Sequence, residues 1–83
     1  MRIYMQVPGS DGRAPRFYHL HLQEDLMGGW TLVREWGFQG SGGRLLKTHF
    51  PDLDSAQQAL MQVRDEQVRR GYRVVFIQGQ ENG

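Results

Sequence analysis

Trp30-Thr31-Leu32-Val33-Arg34-Glu35-Trp36-Gly37-Phe38-Gln39-Gly40-Ser41-Gly42-Gly43-Arg44-Leu45-Leu46-Lys47-Thr48-His49-Phe50 is the stretch that decides the fold. From Trp30 to Gly37 the residues alternate with a period of two. Trp30, Leu32, Arg34 and Trp36 fall on one parity, Thr31, Val33 and Glu35 on the other, the pattern of a β-strand. Gln39 to Gly43 is the densest glycine cluster in the chain and sits between two strand-like runs, so it reads as a hairpin loop. Arg44 to Phe50 is the returning strand, and Pro51 ends it.

Upstream the same alternation appears twice. Ile3, Met5 and Val7 alternate with Arg2, Tyr4 and Gln6, giving a strand over 2–7 that breaks at Pro8-Gly9-Ser10-Asp11-Gly12, a loop continuing through Ala14-Pro15. Phe17 to Glu24 is a further strand, with Tyr18, Leu20 and Leu22 on one face and Phe17, His19, His21 and Gln23 on the other. Gly28-Gly29 turns it into Trp30. Downstream, Asp52 and Asp54 are both N-cap candidates for the one helical pattern, in which Ala56, Ala59, Leu60 and Val63 recur at i, i+3, i+4 and i+7. Arg69 and Arg70 suit the negative end of that helix and Gly71 suits its C′ position. Tyr72 to Ile77 is a last strand. Its continuous apolar run, Val74 to Ile77, predicts a strand covered on both faces or placed centrally, and residues 78–83 read as a frayed tail. The expected architecture is α+β: a curved antiparallel sheet of about five strands with one helix packed on one face, in a single domain over residues 1–83.

Composition narrows the chemistry. At 83 residues the core is small, with little room for a deep enclosed active site. The absence of cysteine excludes a disulfide framework, a zinc ribbon, an iron–sulfur cluster and a thiol nucleophile. No apolar run approaches the ~20 residues of a membrane helix, and the first residues lack the apolar stretch of a signal peptide, so a cytoplasmic setting without membrane contact is expected. A net charge of +1 argues against a histone-like mode of binding. That charge is unevenly placed: residues 1–50 carry six basic and four acidic groups, residues 51–83 four and five.

Three constellations bear on function. His19 and His21 share a strand face and, with His49, could form a zinc or copper site, but no fourth ligand is evident, so no metal and no other cofactor is expected. No serine sits in a strand–elbow–helix context, so no catalytic residue is assigned. The third constellation surrounds the glycine loop. Arg34 and Trp36 precede it, Phe38 and Gln39 open it, and Arg44 and Lys47 follow it. Rings that stack on a base or sugar, beside guanidinium and N–H groups that take phosphate oxygens, are what contact with a nucleic-acid end requires. Solvated edge charges around a core Trp36 explain the same residues equally well.

Arg16-Phe17-Tyr18-His19-Leu20-His21-Leu22, then Gly29-Trp30-Thr31-Leu32-Val33-Arg34-Glu35-Trp36-Gly37, then Gly40-Ser41-x-Gly43, Phe50, Ala56 and Arg70-Gly71-Tyr72, in that order, resemble the WGR domain, named for its Trp-Gly-Arg motif. The match runs from about Arg16 to Tyr72. The family occurs inside poly(ADP-ribose) polymerases, in molybdate-metabolism regulators and as short stand-alone bacterial proteins, and this chain is similar to the last kind. The resemblance implies a nucleic-acid-binding module rather than an enzyme. In the polymerases the motif Trp packs on the terminal sugar at a DNA break. Carried over by position, Trp36 and Gly37 match the first two motif residues, while Phe38 stands where the motif has Arg. That exchange removes a charge and up to five donors. A second departure is Gln67, four residues before Gly71, where the family often has a basic residue.

The expected function is therefore weak binding of nucleic acid, DNA ahead of RNA, at ends or nicks. Arg34, Trp36, Gly37, Phe38, Gln39, Arg44 and Lys47 are the candidate contacts, with additions from Arg13 and Arg16 and from N–H groups of residues 40–43. The alternative is a protein-interaction module built on Trp36 and Phe38 as an exposed aromatic pair. A monomer or weak dimer is expected.

Overall fold

The elements follow in the order β1 (Arg2–Val7), β2 (Arg16–Glu24), β3 (Trp30–Phe38), β4 (Arg44–Phe50), α1 (Leu53–Arg69) and β5 (Arg73–Gln78). In the computed structural model residues 1–79 are described. The five strands form one antiparallel sheet ordered β4-β3-β2-β1-β5. The expected α+β class and strand count hold, with strand ends shifted by a residue at Arg16, Phe38 and Tyr72.

Alternation along the strands divides the sheet into two faces. Ile3 and Met5 of β1, Tyr18, Leu20 and Leu22 of β2, and Leu32 of β3 are buried on one face, together with Ala56, Leu60 and Val63 of α1. Burying each of the larger apolar side chains stabilises the fold by roughly 1.5–3 kcal/mol, and Leu20 and Leu60 are completely buried. The helix therefore lies on this face, packed over β2, β3 and β4. The opposite face has no covering layer among the described residues and is half-buried or exposed.

Asp52, rather than Asp54, caps the helix: it is extended, and its carboxylate accepts the Ser55 N–H at 2.8 Å. At the other end the Gly71 N–H donates to the Val68 carbonyl at 3.0 Å and the Tyr72 N–H to the Gln67 carbonyl at 2.9 Å. This is a Schellman arrangement, and Gly71, at φ +105°, takes the left-handed position it demands. It turns the chain sharply enough for Tyr72 to be buried against the sheet before β5 begins.

The sequence-based placement of β5 is corrected. Far from being central or doubly covered, it is an edge strand, and all six of its residues are exposed. The apolar run reflects the β-propensity of Val, Ile and Phe, and burial does not follow from propensity. β5 is also bulged, since its register against β1 shifts between the Tyr4 and Met5 pairs. Gln78, expected in a frayed tail, pairs with Arg2. Residues 80–83 of that tail lie outside the described residues.

Candidate nucleic-acid interface

The β2–β3 hairpin sets Glu24 opposite Trp30 and therefore Tyr18 opposite Trp36, Leu20 opposite Arg34 and Arg16 opposite Phe38. Directly opposed residues point to the same face, so all of these lie on the helix side of the sheet. The Tyr18 and Trp36 rings stack with centroids 5.4 Å apart and planes 10° apart. Tyr72 meets Tyr18 edge-on at 5.8 Å. Two cations border this aromatic row: the Arg34 guanidinium carbon lies 5.8 Å from both the Tyr18 and Trp36 centroids, and that of Arg16 lies 5.5 Å from Tyr72. Arg34 also donates to the Tyr18 hydroxyl from Nε at 2.9 Å and from a terminal nitrogen at 2.7 Å.

β4 completes the row, with Arg44 opposite Trp36 and Leu46 opposite Arg34. Lys47 pairs with Val33 and so faces the other side of the sheet. The expected site is thus divided by alternation: Arg34, Trp36, Phe38 and Arg44 share the helix side, and Lys47 lies behind them. Trp36 is half-buried while Phe38 is 44% exposed, so the two are not an equally free aromatic pair.

The glycine loop has less spare donor capacity than its composition suggests. The Ser41 N–H is taken by the Phe38 carbonyl at 3.1 Å, closing the turn, and the Gln39 N–H by the Pro15 carbonyl at 2.8 Å. The Gln39 side chain donates to the Tyr4 hydroxyl. Gly37 and Gly43 serve close packing: a Cβ on Gly43 would stand 2.7 Å from the Trp36 carbonyl oxygen and 3.1 Å from the Phe17 ring, and one on Gly37 3.0 Å from the Gly43 Cα. These glycines let the two strands close behind Trp36 with Phe17 lying across them.

The topology gathers charge by ends of the molecule. The β1–β2 connection, the β3–β4 turn and the helix C-terminus meet at one end. That end carries Arg13, Arg16, Arg44, Arg69, Arg70 and Arg73 against Asp11, with Asp65 and Glu66 exposed on the last turns of the helix. The far end carries Glu24, Asp25, Asp52 and Asp54 against Arg2. Gln67 is 4% exposed, so the uncharged residue at that position is inside the fold and takes nothing from the basic surface.

The three histidines are not assembled. His19 and His21 are on β2, and His49, on β4, is held by Asp25 at 2.6 Å. Among the described residues no three His, Cys, Asp or Glu side chains are placed to hold a metal ion. Burial, then the nearby Arg2, lowers the pKa of His19 and His21, which keeps both neutral at neutral pH. A surface depression of about 370 Å³ lined by Gln62, Asp65, Glu66 and Arg69 lies on the exposed side of the helix, away from the aromatic row, and its two carboxylates would repel phosphate. No described helix is long and apolar enough to cross a membrane.

The partners of Trp36 are not evident from the sequence pattern. Tyr18 shares parity with Leu20 and Leu22 and reads as plain core, and Tyr72 reads as the start of a strand. The signal that would have found Tyr18 is the five-residue connection 25–29, which fixes the register of the hairpin.

The model of the WGR domain family matches residues 1–77. An uncharacterized protein, y4dW, of Sinorhizobium fredii (strain NBRC 101917 / NGR234) is 26% identical over 72 residues, covering 87% of this chain and 35% of that protein. The chain thus spans about a third of the length of that relative. No solved structure matches. With the family pattern running through all five strands and the helix, the chain belongs to the WGR domain family, a nucleic-acid-binding module, and ends its signature strand in Trp36-Gly37-Phe38.

Proposed function

We propose that this domain is a non-catalytic reader of DNA ends or nicks, and that it makes contact through the helix-side face at its arginine-rich end. The observation that carries this reading is the Tyr18–Trp36 stack, with Arg34 bonded to it, Arg16 over Tyr72, and Arg44 opposite Trp36. A flat ring held rigidly near the end of an inner strand, between Tyr18 and Arg44, offers a surface for the exposed terminal sugar or base, which an intact duplex does not present. Arg16 and Arg44 are placed for the adjacent phosphates. Arg34, already bonded to Tyr18, positions the rings and lends the stack positive charge. Phe38 extends the apolar surface where a guanidinium would otherwise add a phosphate contact, so affinity is modest.

The test is fluorescence anisotropy with labelled blunt and nicked duplexes against a closed circle of the same sequence, at 50 and 200 mM salt. Expected are preference for ends or nicks, a steep loss of affinity with salt, and roughly tenfold weaker binding by Trp36→Ala. Equal binding to the closed circle, or none to any of the three at low salt, would sink the proposal. Salt-insensitive capture of a protein partner through Phe38 would favour the interaction-module reading.

A further inference from the structure

The face of the sheet turned away from the helix carries its own set of rings. Tyr4 of β1 stands opposite His19 of β2 and opposite Phe76 of β5, and Arg2 opposite His21, all on this side. Tyr4 and Phe17 are nearly parallel, with centroids 6.3 Å apart and planes 8° apart, and so are His19 and His21, at 6.4 Å and 4°. Phe76 is 51% exposed, and no layer covers these rings among the described residues. The Tyr4 hydroxyl is held by the Gln39 amide, which ties this face to the β3–β4 turn.

The charge on this face has one dominant sign. Arg2 and Arg73 lie on its β1–β5 side, Arg73 opposite Gln6, and Lys47 on its β4 side, opposite Val33. Glu35, opposite His19, is the carboxylate among the rings, and Asp25 is engaged with His49 at the far end. His19 and His21 are neutral at neutral pH and present flat, uncharged rings. Flat rings on an open antiparallel sheet, flanked by cations, form a stacking platform for unpaired bases with phosphates running to the rim.

We infer that this open face, centred on Tyr4, Phe17, His19, His21 and Phe76, binds single-stranded DNA. The platform itself stands on the rings and charges just described; the choice of DNA rests on the end-reading proposal. Both faces meet at the arginine-rich end, where Arg16 and Phe17 are neighbours on opposite sides of β2. A strand freed at a break beside Trp36 can round that end and lay its bases on the platform.

The test titrates labelled dT12 and rU12 single strands, and a blunt duplex, against the native chain, Phe76→Ala and Trp36→Ala, with amide NMR spectra to confirm folding and map the contact. Expected is dT12 binding at 50 mM salt, roughly tenfold weaker for Phe76→Ala and unchanged for Trp36→Ala. Shifts should fall on alternate residues of β1, β2 and β5. Duplex binding should show the reverse sensitivity. Absence of dT12 binding by the folded chain, shifts confined to the helix side, or tighter binding of rU12 than dT12 would each overturn the inference. If dT12 binds as expected and the duplex does not, the end-reading proposal falls while the platform stands.

Discussion

The guanidinium of Arg34 is forked onto the hydroxyl of Tyr18, at 2.9 Å from Nε and 2.7 Å from a terminal nitrogen, and lies over both the Tyr18 and Trp36 rings. The pair joins β2 to β3 on the face where Trp36 is displayed. Tyr18 is 5% exposed, so its hydroxyl depends on this partner. Tyr18→Phe removes the acceptor and leaves the half-buried guanidinium to water. The expected loss is about 1 kcal/mol, the net value of such a bond. In a domain of this size that is a fall in Tm of about 4–8 °C. Urea unfolding followed by tryptophan fluorescence measures it, and an unchanged midpoint would mean that the bond contributes nothing to the fold.

This contact also marks where sequence reading stops. Period-two alternation is local and strong, so the strands, their inward residues Leu20, Leu22 and Leu32, and the helix face of Ala56, Leu60 and Val63 were all readable. The division of the site was not. Proximity to one loop groups Arg34 with Lys47 in the sequence, and only the register of β3 against β4 shows that they face opposite ways. Arg69 and Arg70 reach the same end as Arg16 and Arg44 only because the helix runs back along the sheet, a tertiary fact. The apolar run of β5 lies on an exposed edge strand because apolar character reports propensity as readily as burial.

Phe38→Arg restores the motif's cation at a position that is 44% exposed and directly opposite Arg16. If the helix-side face holds DNA, this substitution strengthens binding to duplex ends by about 1–2 kcal/mol, as expected of a charge-assisted contact. It should also steepen the dependence of log K on log salt by about 0.9, one added phosphate contact. Anisotropy at four salt concentrations gives both quantities. A gain in affinity without a change of slope would show that the new side chain acts on something other than phosphate.

Two neighbouring glycines separate packing from flexibility. A Cβ on Gly43 would meet the Trp36 carbonyl oxygen at 2.7 Å, whereas one on Gly42 would meet nothing within 4 Å. Neither residue is held at positive φ. Gly43→Ala therefore forces the β3–β4 hairpin apart behind Trp36, at a cost of roughly 1–3 kcal/mol, typical of overpacking. Gly42→Ala leaves stability within about 0.5 kcal/mol, as at an open surface position. Paired thermal melts distinguish the two. Equal effects would mean that the loop's glycines matter for chain flexibility and not for the approach of strand to strand.

Asp25 organises the far end of the sheet through its hydrogen bonds to Met27, Gly29, Thr31 and His49, and an acid dependence of stability is the expected consequence. Burial raises the pKa of its carboxyl. Four hydrogen bonds outweigh that effect, from the Gly29 N–H, His49, the Met27 N–H and the Thr31 hydroxyl, and the net result lies below the ordinary carboxylate value. A folded-state pKa depressed below the unfolded value of about 3.9 contributes stability that is complete above that pH and is lost as pH falls through the folded value. Asp52, lowered by the Ser55 N–H and hydroxyl, adds to the same loss. Unfolding midpoints measured from pH 7 to pH 2 should therefore drop below about pH 4. Asp25→Asn should be less stable at pH 7 and should show a shallower acid limb, with the Asp52 share remaining. The Gly29 amide resonance, which reports directly on the carboxylate, should titrate in the native chain and lie flat in the variant. If the acid limb were as steep in Asp25→Asn as in the native chain, the hydrogen-bonded carboxylate would not be the source of the acid dependence.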